Sequence, residues 1–536
     1  MVSMNSSASV FRHFVTACSG LFLTAGMAQA GVGDELAKLL PSDGAAVDIF
    51  GNSVSISGTT AIVGALGDDD NGVNSGSAYL FDTATGLQLA KLLPSDGAAG
   101  DFFGRWVSIS GTTAIVGANG DDGNGTDSGS AYLFDTVTGL QIAKLLPSDG
   151  AAGDNFGWSV SISGTRAIVG ARLDDDNGSD SGSAYLFDTV TGLQLAKLLP
   201  SDGAAFDLFG RSVAIDGTTA IVGVEQDDDN GNNSGSAYLF DTATGLQFAK
   251  LLPTDGAASD LFGSSVSISG TTAIVGAFGD DDNAPSSGSA YLFDAVTGLQ
   301  IAKLLPTDGA ASDFFGDSVG ISGTTAIVGA PLDDDNGSDS GSAYLFDAVT
   351  GLELAKLLPS DGAVGGRFGD SVAIDGTTAI VGASNDDDNG AASGSAYLFE
   401  APAPPAFASD APSISLGTGG SQLLTLEGGA SSAGWSYFTF GSVTGTSPGL
   451  DFGGGVVLPL NFDVYTNLTL KSPGLGIFGN FRGTLDGAGH AVATFSLPAV
   501  MDPSLVGVTI NHAYLAGAVL GIPEFASNAV PVLLTM

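Results

Sequence analysis

The chain has 536 residues, with 58 acidic against 15 basic side chains and a formal charge of −43. That balance excludes nucleic acid and anionic membrane surfaces as partners, since both need basic patches, and favours metal cations or basic partners. With 43% hydrophobic residues and 81 glycines, the composition points to many short strands and tight turns rather than acidic disorder.

Residues 1–30 read as a secretory signal peptide. Arg12 and His13 precede a largely apolar run from Phe14 to Met27, and Ala28-Gln29-Ala30 offers cleavage after Ala30. The run is too short and interrupted for a membrane span, so no transmembrane segment is expected in the mature chain. Val15-Thr16-Ala17-Cys18 has no apolar segment ahead of it, which favours simple cleavage over lipidation. The only cysteine leaves with the signal, and the expected location is secreted or at the cell surface without disulfides.

From residue 31 to 400 the chain repeats. Phe-Gly recurs at 50, 103, 156, 209, 262, 315 and 368, always 53 residues apart, and Ala-Lys-Leu-Leu-Pro and Tyr-Leu-Phe recur at the same interval. Each unit predicts four strands, here for the first: a, Val54 to Ser57; b, Ala61 to Ala65; c, Ser77 to Phe81; d, Leu87 to Leu93, stopped by Pro94. Four antiparallel strands per repeat make a propeller blade, and seven blades make a ring, expected to be monomeric. The last unit ends at Glu400 without a strand d, while Glu35 to Leu40 is an orphan strand ahead of the first Phe-Gly. Pairing the two would close the ring. The seven lysines of strand d, Lys38 to Lys356, read as charges guarding an outer edge strand.

The Phe-Gly start, the Ala-Ile-Val-Gly-Ala strand and the Gly-Ser-Ala-Tyr-Leu-Phe strand together resemble FG-GAP repeats, the blades of the integrin α-chain propeller and of many bacterial surface proteins. The resemblance covers about residues 34–400 and implies a partner-binding propeller, often with calcium in some blades. The integrin-type calcium loop lies between the Phe-Gly and Gly-Ala strands. Here that connection is only Ser-Gly-Thr-Thr, so the site does not carry over.

Antiparallel order puts the short a–b and c–d turns on one face and the b–c and d–a loops on the other. The second face is acidic: Asp-Asp-Asp-Asn-Gly runs or variants, Ser/Thr-Asp-Gly elements, and an Asp just before Phe-Gly in six blades. Hard cations take oxygen ligands of these kinds. The candidate calcium ligands are Asp68, Asp70, Asp121, Asp174, Asp176, Asp227, Asp229, Asp280, Asp282, Asp333, Asp335, Asp386 and Asp388. Against that, the runs lack the alternating order of a calcium loop, and Asp and Asn in turns also bond their own backbone.

Two positions vary among otherwise near-identical blades. The residue after Phe-Gly is Asn52, Arg105, Trp158, Arg211, Ser264, Asp317 and Asp370; the residue after strand b is Leu66, Asn119, Arg172, Glu225, Phe278, Pro331 and Ser384. Arg105, Trp158, Arg172 and Arg211 are hot-spot residue types concentrated in the second to fourth blades, and are the candidate partner-binding patch.

A Pro/Ala linker at 401–406 leads to 407–536, where eight short alternating runs suggest a C-terminal antiparallel β-sandwich. The runs span Leu423 to Leu426, Trp435 to Phe440, Val456 to Leu460, Tyr465 to Leu470, Phe481 to Leu485, Ala491 to Leu497, Val506 to Ile510 and Val530 to Leu534. The Asp486-Gly-Ala-Gly489 turn predicts a hairpin between the fifth and sixth.

The mature chain has two histidines, His490 and His512, and no cysteine, which excludes thiol catalysis and argues against a zinc site. The sevenfold carboxylates offer no unique acid pair with divided pKa values. The expected function is a non-enzymatic extracellular binding or adhesion protein with a protein or glycan partner and calcium as its one expected cofactor. The alternatives are a secreted polysaccharide hydrolase or lyase and a structural cell-envelope component.

Overall fold

A computed structural model describes residues 31–402 and, beyond them, separate strand segments between 406 and 535. The expected signal peptide at 1–30 and the run at 465–470 lie outside the described residues.

Residues 31–400 form seven four-stranded antiparallel sheets. In the first blade the strands are a (Phe50–Ser57), b (Thr60–Ala65), c (Ser77–Asp82) and d (Gln88–Leu92). Strand b, Thr-Ala-Ile-Val-Gly-Ala, is buried along nearly its whole length because both of its faces pack in the ring. Strand d alternates, with Leu89 exposed and Leu92 buried, as befits an outer edge. Phe50 anchors each such unit, meeting Tyr79 and Phe81 edge-on at 5.6 and 5.8 Å. The other six blades repeat that triad.

The ring closes as expected. Glu35–Leu39 pairs antiparallel with Ser395–Glu400, Lys38 lying opposite Tyr397. Three circular sets of contacts then run through all seven blades. Each Phe-Gly phenylalanine bridges the Gly before strand c of the preceding blade, and Phe50 bridges Gly394 across the closure. At the outer edge, the side-chain oxygen of the first strand-d residue accepts a bond from the Ser or Thr amide of a neighbouring d–a loop, from Gln88–Ser42 round to Glu35–Ser360, at 2.8–2.9 Å.

The third circle lies at the inner edge, where strand a leaves amides without a ladder partner. There the last residue of each strand a accepts a bond from the turn glycine of the next blade. The sequence is Ser57–Gly111, Ser110–Gly164, Ser163–Gly217, Asp216–Gly270, Ser269–Gly323, Ser322–Gly376 and Asp375–Gly58, at 2.6–3.2 Å. Blade contact is close enough to require glycine: a Cβ on Gly64 would sit 1.9 Å from the Gly104 carbonyl oxygen.

In the C-terminal region, Gly420–Glu427 pairs with His490–Leu497, and Ser436–Ser442 with Thr509–Gly517, all antiparallel. Among the described residues, the strands on either side of the Asp486–Gly489 turn are not paired with each other. Arg482–Thr484 joins Ser436–Phe438 in one sheet, while His490–Leu497 belongs to another. How the sheets face one another lies outside the described residues.

Candidate functional site

The loop face carries two concentric arrangements, one repeated and one not. The outer one is built on the strand-d lysines. Lys91 reaches inward over the Tyr79 ring, 5.2 Å from its centroid, and pairs with Asp43, Asp68 and Asp70 at 2.6–2.8 Å. Every blade repeats this cage, with Lys–Tyr distances of 5.0–5.2 Å. Lys38 completes the closing blade with Asp361, Asp386 and Asp388. Burial works against the lysine charge, but hydrogen bonds and attraction from the carboxylates outweigh it, and all seven lysine pKa values are raised. The lysines therefore do more than guard an edge.

These cages account for all thirteen carboxylates expected as calcium ligands. Each pairs with the lysine of its blade. The first Asp of each run also accepts the backbone N–H two residues on, as Asp68 does from Asp70. The second holds a residue of positive φ five positions later, as Asp69 holds Asn74 (φ 54°). The self-bonded turn is thus the geometry present. A divalent cation in a cage would meet an ammonium already seated among the oxygens, so these residues as they stand do not fit calcium. Among the described residues no group of three or more His, Cys, Asp or Glu side chains has a metal-holding arrangement.

The inner arrangement is the channel mouth. Strand a is innermost in each sheet, and at the end away from the loop face the Ile–Ser/Asp pairs ending strand a in six blades line one shared opening. At the loop-face end, the two variable positions of a blade meet. Arg211 Nε donates to Glu225 at 3.0 Å, Ser384 donates to Asp370, and Arg172 stacks on Trp158.

All four residues of the expected binding patch come together here. The guanidinium carbons of Arg105 and Arg172 lie 3.8 and 3.3 Å from the Trp158 ring centroid, with Arg211 at 5.6 Å. Both Arg105 and Arg172 therefore lie against the indole ring. Trp158 is 7% exposed. Its Nε1, and Nε of Arg105 and Arg172, have no hydrogen-bond partner among the described residues. Burial lowers both arginine pKa values to about 10, with repulsion from Arg211 adding to it.

Facing these cations are groups that the sequence reading passed over. Asp317 is partly buried, and burial raises its pKa to about 7, with Asp370 adding repulsion. Asp370 is raised to about 6 by burial. Asp317 also feels Arg211 and Glu225, which places residues of the fourth, sixth and seventh blades around one axis. The expectation that no acid stands out is corrected: two do, and both occupy the variable position after Phe-Gly. That position, compared blade against blade, carries the signal.

The FG-GAP repeat profile matches residues 34–81, 87–134, 140–187, 193–240, 246–293, 299–346 and 352–399. No curated protein matches the chain. Among solved structures, a europium-containing methanol dehydrogenase shares 11% identity over 69% of this chain and 85% of that one, with a TM-score of 0.34. Apo AztD from Citrobacter koseri shares 14% over 57% and 71%, with a TM-score of 0.32. Likenesses at that level carry no functional weight. Seven matched repeats in register, each a four-stranded blade, place this chain in the FG-GAP repeat family.

Proposed function

We propose that this chain is an extracellular, non-enzymatic binding protein that takes its partner, a protein or glycan, at the loop-face mouth of the channel. The observation supporting this is the Arg105–Trp158–Arg172 stack, whose buried Nε1 and Nε donors are unpartnered. The cages have their charges satisfied internally, while at the mouth charged donors are unspent.

The test applies the full chain and a Trp158→Ala/Arg211→Ala variant to one array of extracellular proteins and glycans. The expected result is a bound partner lost by the variant while its far-ultraviolet dichroism is unchanged. Binding that survives the double substitution overturns the site.

A second reading, a polysaccharide hydrolase, is favoured by one observation: Asp317 and Asp370 are partly buried neighbours whose pKa values are both raised, Asp370 repelling Asp317. Release of reducing ends from a polysaccharide panel, abolished by Asp317→Asn, would replace the first reading with this one.

A further inference from the structure

The mouth concentrates positive charge in a chain whose formal charge is −43. Of the mature chain's few basic residues, seven lysines are committed to cages and Arg211 to Glu225. Arg105 and Arg172 have no carboxylate within ion-pairing distance among the described residues; Arg211 repels both, while Glu225 and Asp180 attract Arg172 from farther off. Unpaired, desolvated cations are costly unless a partner brings the opposite charge. Trp158 Nε1 and the two arginine Nε atoms lack acceptors and Asn52 Oδ1 and Asn119 Oδ1 lack donors, so the arginine side of the mouth is left with donors that need an acceptor from a ligand.

The free groups also narrow the ligand. An arginine Nε together with its neighbouring terminal nitrogen forms the planar edge that grips a carboxylate with two parallel bonds. Two guanidiniums already lie against the indole ring, so Trp158 is a poor platform for a sugar ring and offers the ligand its Nε1 edge. Glu225, Asp317 and Asp370 share the mouth and disfavour a dianion such as phosphate more than a monoanion.

We propose that the channel mouth binds a ligand carboxylate between Arg105, Arg172 and the Trp158 edge. This rests on placing the binding site at the mouth. The carboxylate has two small-molecule sources, an amino acid or a uronic-acid sugar, and the acids on the facing wall favour the first by accepting its ammonium group.

The experiment titrates the full chain with glutamate, glucuronate, glucose and sulfate, followed by tryptophan fluorescence and calorimetry. Saturable binding of glutamate or glucuronate is expected, the one that binds more tightly naming the source, with glucose and sulfate at least about tenfold weaker. Arg105→Gln/Arg172→Gln should weaken the carboxylate at least about tenfold, and Trp158→Phe, which keeps a ring against the arginines, by a few-fold. No saturable response to either carboxylate overturns the proposal, as does sulfate binding equally well or a response that survives the arginine substitutions. If array binding is lost in the Trp158→Ala/Arg211→Ala variant while neither carboxylate binds, this inference falls and the binding-protein reading stands.

Discussion

The seven lysine cages and the channel mouth lie on the same face of the same ring, yet they solve opposite problems. Each cage gathers carboxylates around an ammonium from its own blade and repeats with little change. The mouth gathers two arginines, Arg105 and Arg172, with no ion-paired carboxylate among the described residues and acids held above their ordinary pKa, and no two blades contribute the same pair of residues. Where charge is satisfied internally, the repeat is free to copy itself. Where it is not, the blades have diverged, and folding alone does not explain the choice of side chains.

The contrast is broken most directly at Asp317, because substitutions in the mouth and in a cage should move stability in opposite directions. A carboxyl whose folded pKa is raised to about 7 holds its proton more tightly in the fold than in the unfolded chain. Stability therefore falls as pH rises through the window from about 4 to 7. Asp317→Asn removes that penalty, and the expected gain is up to about 4 kcal/mol at pH 8, shrinking to nothing below about pH 4. Urea melts at both pH values measure it. A loss of stability at pH 8 would mean that Asp317 has a favourable partner and that the mouth resembles the cages.

Lys91→Met makes the converse change. It strands Asp43, Asp68 and Asp70, of which Asp68 is buried and the others are about half exposed. Solvent screens the exposed pair, so the expected cost is about 2–3 kcal/mol rather than the full penalty for a buried orphan charge. The second blade supplies the control. Gly123 stands where other blades have a third Asp, Lys144 meets only Asp96 and Asp121, and Lys144→Met should cost less. Equal losses would show that cation–π contact with tyrosine, common to both, outweighs the carboxylates.

A smaller effect is expected at Arg172→Gln. Losing a guanidinium stacked on Trp158 removes attraction, while relief of repulsion from Arg211 returns some of it. Stability should change by no more than about 1 kcal/mol. A substitution nearly neutral for folding at so enclosed a position separates a residue kept for its ligand from one kept for the ring.

Much of this was legible in the residues. The 53-residue period, the four strands and the closure by Glu35–Leu39 all follow from local patterns, because every blade is built from short-range turns and alternating strands. The patch residues could be named because one repeat is the background for another. The lysine cages were hidden for a physical reason: Lys91 is 48 residues from Asp43 and 21 from Asp70, and only the blade's folding brings all three together. Asp317 was hidden because burial, not residue type, makes it unusual.

Calcium gives the sharpest comparison with the smallest expected effect. An Asp-Asp-Asp-Asn-Gly run on a bare sequence invites a metal, yet in the fold its first and third carboxylates already hold a lysine and its second fixes a backbone turn. Melts of the unmodified chain in calcium and in chelator should therefore share one midpoint. In Lys91→Met the same oxygens lose their ammonium, and calcium should now raise the midpoint, by the equivalent of about 1.4 kcal/mol at ten times the dissociation constant. A shift in the unmodified chain would place calcium outside the cages or show that it displaces the lysine. A shift only in the variant would show that one buried lysine per blade does the work that a cation would otherwise do.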